Sequence, residues 1–308
     1  MNALNENTET KKTHTIFFKF FSLLSVVRGY NILIIILAQY LASIFIFSPN
    51  RPLKAILLDS KLFFIVLAST CVIAAGYIIN NFYDAEKDKI NRPVKSKIDG
   101  IVTQKVKLKI YFFLNFLGFI FGFLVSWRAA LFFGIYIFLI WFYSHKLKKF
   151  PLTGLLSATV VSILPFFVIF VYYKNFSKII FVHALFVFLI LLIKELIKVL
   201  ESIEGDILLN YKTVPVAYGE SFTRKLITGI VLLTFVPMYF LWDYPEIGAM
   251  KYYFYGTSFV LAIFTSILWF TNSPKKYLAL HNIIKLLLIL GVFSLALIDT
   301  SVLIKRLL

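Results

Sequence analysis

The stretch LFFIVLASTCVIAAGYIINNFYDAEKDKINRP, Leu62 to Pro93, joins two kinds of sequence that rarely meet. Its first part is long enough and apolar enough to cross a bilayer, which takes about 20 residues of helix. Its second part opens with Asn80, Asn81, Asp84, Glu86 and Asp88 and carries Lys87, Lys89 and Arg92, with Lys95 and Lys97 just beyond its end. Ionisable groups at the mouth of a membrane segment are costly to place, so this run is a candidate functional site.

The rest of the chain repeats the first theme. Of 308 residues, 60% are hydrophobic, 18% aromatic and only 15% charged, and the mean hydropathy is +0.86. Lipid leaves no backbone group unpaired except in helices or closed barrels, and the strict alternation of a barrel strand is absent. The composition therefore predicts an all-helical integral membrane protein. Spans of suitable length fall at 23–47, 62–83, 108–127, 129–144, 152–173, 178–200, 225–242, 250–270 and 280–303. The fourth is short and forms a hairpin with the third around Trp127 and Arg128. A polar tail and the start of the first helix occupy 1–22, one transmembrane domain 23–303, and a short end 304–308; the polar tail is expected to be disordered.

A net charge of +17 suggests nucleic acid only if the basic residues cluster on a soluble surface. Here they lie in short loops between apolar spans, a pattern that orients a membrane protein and attracts anionic lipid or substrate. Lys and Arg weigh most on the side holding Lys11, Lys12, the 87–107 loop, Lys146 to Lys149, Lys212 to Lys225 and Lys275, so that side is placed in the cytoplasm of a cell or inner membrane. The single cysteine, Cys71, excludes an intramolecular disulfide and a cysteine-based zinc cluster. The four histidines are too scattered to suggest a metal by spacing.

Asn80, Asp84 and Asp88 are four apart and share a face if the helix continues. Two carboxylates on successive turns repel, and a divalent cation removes that cost. Mg²⁺ takes oxygen ligands and is usually held by one or two carboxylates with substrate phosphates, which the neighbouring lysines and Arg92 would grip. A solvated loop that only enforces topology has the same composition, so spacing alone leaves both readings open.

The motif NNFYDAEKDKINRP resembles the first signature of the UbiA-type intramembrane prenyltransferases, through Asn80, Asp84, Asp88, Arg92 and Pro93. The stretches RGYN (Arg28 to Asn31) and YSHKLKK (Tyr143 to Lys149) are similar to two further family motifs. Nine helices with cytoplasmic polar loops after helices 2 and 6 is the architecture this implies. The resemblance also implies Mg²⁺-dependent transfer of a polyprenyl group, geranylgeranyl above all, from its diphosphate to a lipid or aromatic acceptor in the membrane. Asp84, Asp88 and Asp206 would be catalytic and bind metal with Asn80. Arg92, Lys146, Lys148 and Lys212 would bind the diphosphate, while Arg28 and Asn31 would line the acceptor pocket.

The second acidic motif departs from the family pattern. Its three positions carry Val199, Ser202 and Asp206, so Ser202 is a weak hydroxyl ligand, and Gly205 is placed to break the helix and swing Glu201 in. The following loop, ESIEGDILLNYKTVPVAYG, resembles the branch that includes both the enzymes using a glyceryl phosphate ether lipid and the chlorophyll synthases, and the first acceptor is the one expected here. An aromatic quinone precursor is the alternative acceptor. A non-catalytic lipid-binding or transport protein is the alternative of another class, favoured by Val199 and Ser202.

Overall fold

The computed structural model describes residues 17–270 and 273–299. The expected disordered tail, His14, the last residues of the ninth span and the basic residues beyond it lie outside these. Among the described residues nine helices are long and apolar enough to cross a membrane, and no strand is present.

The chain opens with α1 (Phe17–Val27) and α2 (Gly29–Ala42), the latter extended by a π-turn at Ser43–Phe47. Arg28 between them is in the left-handed region at φ 52°, so the single span expected from 23 is broken there. A short α3 (Leu53–Leu57) leads to α4 (Ser60–Tyr83), whose first turn is capped by Asp59 accepting from the Lys61 and Leu62 N–H groups. Two short polar helices follow, α5 (Ala85–Asn91) and α6 (Pro93–Asp99). The hairpin is α7 (Gln104–Val125) and α8 (Trp127–His145), turned on Ser126, which caps α8 through the Ala129 N–H at 3.1 Å. The fourth span is therefore of full length, because Trp127 and Arg128 begin the helix instead of forming the loop.

Next come α9 (Pro151–Tyr173) and α10 (Lys178–Glu201), then the short α11 (Ile203–Leu208) and α12 (Val214–Tyr218). The last spans are α13 (Glu220–Trp242), α14 (Lys251–Trp269) and α15 (Pro274–Ser294). Pro165 in α9 leaves the Val161 carbonyl without its helical donor, and the Tyr136 hydroxyl supplies one at 3.1 Å.

Two helices form the middle of the bundle. In α4 67% of the apolar window is buried and in α10 50%, against 39% or less elsewhere. α4 packs on α7 and α8, and α10 on α13 and α15. Gly118 of α7 permits the first contact, since a Cβ there would sit 2.6 Å from Val72. Outward residues such as Phe112, Phe116 and Phe123 remain exposed, as a lipid-facing surface requires. The two innermost helices are also the two that end in the polar segments, so those segments meet over the bundle's centre.

Candidate active site

Asp84 departs only mildly from helical geometry, at φ −92° and ψ 5°. The four-residue ladder runs on through it: the Asp84 N–H donates to Asn80, Asp88 to Asp84, and Arg92 to Asp88, at 2.8–2.9 Å. Asn80, Asp84 and Asp88 therefore stay on one face although α4 has ended. The second segment is built alike. Ser202, at φ −108°, receives no break from Gly205; its N–H donates to Lys198 at 3.2 Å and Asp206 donates to Ser202 at 3.1 Å.

Gly205 has a different role from the one its sequence position suggests. Its N–H donates to Asn91 Oδ1 at 3.1 Å, and a Cβ would displace that amide. Asn91 also donates to the Ser202 carbonyl at 3.4 Å, so it latches α5 to α11.

The charges of each segment find partners on the other. Lys87 pairs with the fully buried Asp206, which also accepts from Thr213 at 3.2 Å and Ser202 at 3.4 Å. Arg92 reaches Glu201 Oε1 at 2.6 Å, and His281 of α15 holds Oε2 at 2.6 Å. Glu201 thus does not swing toward Asp206, because both its oxygens are engaged on the far side. From the α8–α9 turn, Lys148 donates to Asp84 at 2.5 Å and to Asn80 at 3.4 Å. Asp88 makes no side-chain hydrogen bond or ion pair among the described residues.

A narrow cleft opens between these elements, with about 50 Å³ available to water-sized molecules. Its lining mixes the polar Asp84, Lys87, Lys148, Glu195, Lys198 and Tyr211 with the apolar Leu155, Ala158, Val199 and Val214. Such a volume takes a few waters. Burial alone pushes the Asp84 carboxyl up, but Lys148 and then Lys87 outweigh it and hold the group below the usual carboxylate range. Asp88 is pushed above that range by burial and by the charge of Asp84. Burial also lifts Asp206, despite Lys87 in contact, and lifts the Tyr211 phenol to about 12.

The other expected residues divide. Arg28 lies over the Tyr77 ring at 5.2 Å, and Asn31 donates to the Tyr77 hydroxyl at 3.2 Å, so α2 carries both onto α4 beside the polar centre. Lys146 and Lys212 are not brought in: both side chains are exposed, and Lys212 contributes only its N–H to the Lys149 carbonyl. Lys95 turns away to Asp99 at 2.5 Å, where Asn81, Ser25 and the buried Lys107 form a separate network that pins the loop to α1 and α7.

Sequence reasoning passed over Asn91, Lys87 as the partner of Asp206, and the lysines Lys194 and Lys198; it placed Glu195 on the face of Ser202 and Asp206 only as a substitute for the missing acid. Glu195 is held by Lys194 at 3.0 Å and Lys198 at 2.8 Å. The trio had a signal, three ionisable residues inside an apolar span.

The family model for the UbiA prenyltransferase family matches residues 31–289, nearly the whole bundle and all of this cleft. This chain belongs to the UbiA prenyltransferase family. It is an integral membrane prenyltransferase. Among UbiA relatives, the digeranylgeranylglyceryl phosphate synthase of Thermococcus sibiricus is 30% identical over 205 residues, covering 66% of this chain and 70% of that one. The protein of the same name from Sulfolobus acidocaldarius is 31% identical over 194 residues, covering 59% and 68%. In fold, this chain is similar to a UbiA homologue from Archaeoglobus fulgidus solved bound to DMAPP and Mg²⁺, with a TM-score of 0.63 and 16% identity over 89% of this chain and 98% of that one.

Proposed function

We propose that this chain transfers a geranylgeranyl group from its diphosphate to the hydroxyl of a glyceryl phosphate ether lipid, with Mg²⁺, at the face where α4 and α10 end. One observation carries the reading: two polar segments, each on an innermost helix, close on a cleft whose lining combines charged and apolar side chains. That is the combination an amphiphilic diphosphate needs. The names of the archaeal relatives support the acceptor. The basic residues support placing this face in the cytoplasm, and the closing of both polar segments on one cleft supports residues 23–303 as one catalytic unit.

The residues around Asp84 suit Mg²⁺. Asn80, Asp84 and Asp88 offer hard oxygen donors on one face, and the Asp88 anion is disfavoured by burial and by Asp84, against weaker individual pulls from Lys95, Arg92 and Arg28, a penalty that a bound cation would relieve. Mg²⁺ bound by these residues would offset the negative charge of the departing diphosphate. Lys148 and Lys87, which neutralise Asp84 and Asp206 in this structure, present ammonium groups to the phosphate oxygens. The C1–O bond of the allylic diphosphate breaks, its electron pair leaves with the diphosphate, and the acceptor oxygen bonds to C1 and loses its proton. Tyr143 on the cleft wall stabilises the positive charge on the allyl group. The apolar side chains of the lining keep water from it. Arg28 and Asn31 hold the acceptor against Tyr77.

Only ionised carboxylates bind the cation, so protonation of Asp88 competes with it. Because the Asp88 pKa is raised, affinity falls on acidification at a higher pH than the ~3.9 of an ordinary aspartate would give. Mn²⁺ titrations between about pH 7 and pH 4 check this, and Asp88→Asn is expected to remove that limb.

The function itself is tested with purified protein, radiolabelled geranylgeranyl diphosphate and geranylgeranylglyceryl phosphate. A labelled, organic-extractable product that requires Mg²⁺ is expected. Label transferred to an aromatic acceptor, and not to the glyceryl phosphate, overturns the acceptor assignment.

A further inference from the structure

The two sides of the cleft are unequal. On the α4 side, Asp84 lines the cleft with only one oxygen held, by Lys148, and Asp88 beside it makes no side-chain hydrogen bond or ion pair among the described residues. On the α10 side the acids turned toward the bundle, Glu195, Glu201 and Asp206, are each paired with a cation of the protein, while Glu204 is exposed. Glu195 has one oxygen on Lys194 and the other on Lys198. Glu201 is shared between Arg92 and His281. Asp206 has no exposed side-chain surface, does not line the cleft, and is enclosed by Lys87, Thr213 and Ser202. Val199 has no donor atom, and the Ser202 hydroxyl is turned onto Asp206. No group of three or more His, Cys, Asp or Glu among the described residues is placed to hold a metal. The α10 side does not fit one. The α4 side has two carboxylates and an amide, which suffices when substrate phosphate and water complete the shell.

Two lysines line the cleft: Lys87 of α5, paired across the gap with Asp206, and Lys198 of α10, paired with Glu195, which lines the cleft beside it. Each acid holds its lysine's ammonium group in place at the lining of the cleft. We infer that this chain, taken as the transferase proposed above, holds one divalent cation with its diphosphate, on Asn80, Asp84 and Asp88. The ammonium groups of Lys87 and Lys198 supply the charge that a second cation would bring. Asp206 is then a positioning residue for Lys87 and not a metal ligand. Lys198 binds phosphate directly as a point charge.

The test counts metal. Full-length protein in detergent is loaded with Mn²⁺ and the unreactive thiolodiphosphate analogue of geranylgeranyl diphosphate, and bound manganese is measured by equilibrium dialysis and electron paramagnetic resonance. One Mn²⁺ per chain is expected, with no broadening from a neighbouring spin. Asp206→Asn is expected to keep one Mn²⁺. Lys198→Met is expected to keep it too, while weakening the analogue by at least about tenfold, and Lys198→Arg to recover most of that loss. Two Mn²⁺ per wild-type chain with coupled spectra overturn the inference and leave the transferase reading standing. Loss of manganese in Asp206→Asn, or unchanged analogue affinity in Lys198→Met, also overturns it. A wild-type chain that binds neither manganese nor analogue overturns the transferase reading itself, so the two failures are distinguishable.

Discussion

Asp84→Asn is expected to lower kcat/KM for prenyl transfer by about 10³-fold or more, because one substitution removes two functions. Asp84 is the central donor of the Asn80–Asp84–Asp88 face, and it is also the anchor of Lys148, which is itself 9% exposed. The amide keeps the shape but offers the cation no charge, and it leaves Lys148 without its closest counter-charge. Preorganised charge opposite a leaving group is commonly the largest catalytic contribution, and the loss therefore appears mainly in kcat. Retained helicity and an unchanged elution volume in detergent separate this from misfolding. Activity within about tenfold of wild type would show that the cation sits elsewhere.

Lys148→Met ranks second, with an expected fall in kcat/KM of about 10²-fold. Lys148 is the main influence holding the buried Asp84 carboxyl below the usual range, and Lys87 adds less. Without it burial prevails, the Asp84 pKa rises, and affinity for both cation and diphosphate drops. The loss is expected in KM as well as in kcat. Lys148→Arg keeps the charge and should restore part of the activity. Lys146→Met and Lys212→Met give the contrast. Both lysines are basic residues of family-like loops, yet both are exposed and apart from the cleft, so each change is expected to stay within about twofold. Steady-state kinetics on the four variants decides the matter, and equal losses at Lys146 and Lys148 would contradict the geometry.

These contrasts show how far the sequence could be read. The helical membrane class and the nine spans follow from hydropathy, since bilayer thickness leaves helix length little freedom. The face shared by Asn80, Asp84 and Asp88 was legible for a local reason: the spacing is four, and the ladder continues through the kink at Asp84. Helix limits were less legible. The break at Arg28 depends on a left-handed residue that no periodicity announces, and the start of α8 at Trp127 depends on capping by Ser126.

The second segment was illegible for a different reason. Where Glu201 goes is decided by Arg92 and His281, which are remote in sequence and come together only because α4, α10 and α15 are neighbours. Gly205 reads as a helix breaker by propensity, but it is a point of close approach whose reason, Asn91, lies in the other segment. Lys146 and Lys148 are indistinguishable by composition. Only the turn after His145 decides that one faces solvent and the other faces Asp84.

The central claim is that the diphosphate and its cation sit between the ends of α4 and α10. Its most direct test is a structure of the chain with Mn²⁺ and the thiolodiphosphate analogue, recorded at an energy where manganese scatters anomalously. The expected result is a peak between Asp84 and Asp88, with Lys148 moved from Asp84 onto the diphosphate. An analogue bound outside this cleft, with the Lys148–Asp84 pair intact and no peak beside it, would contradict the account.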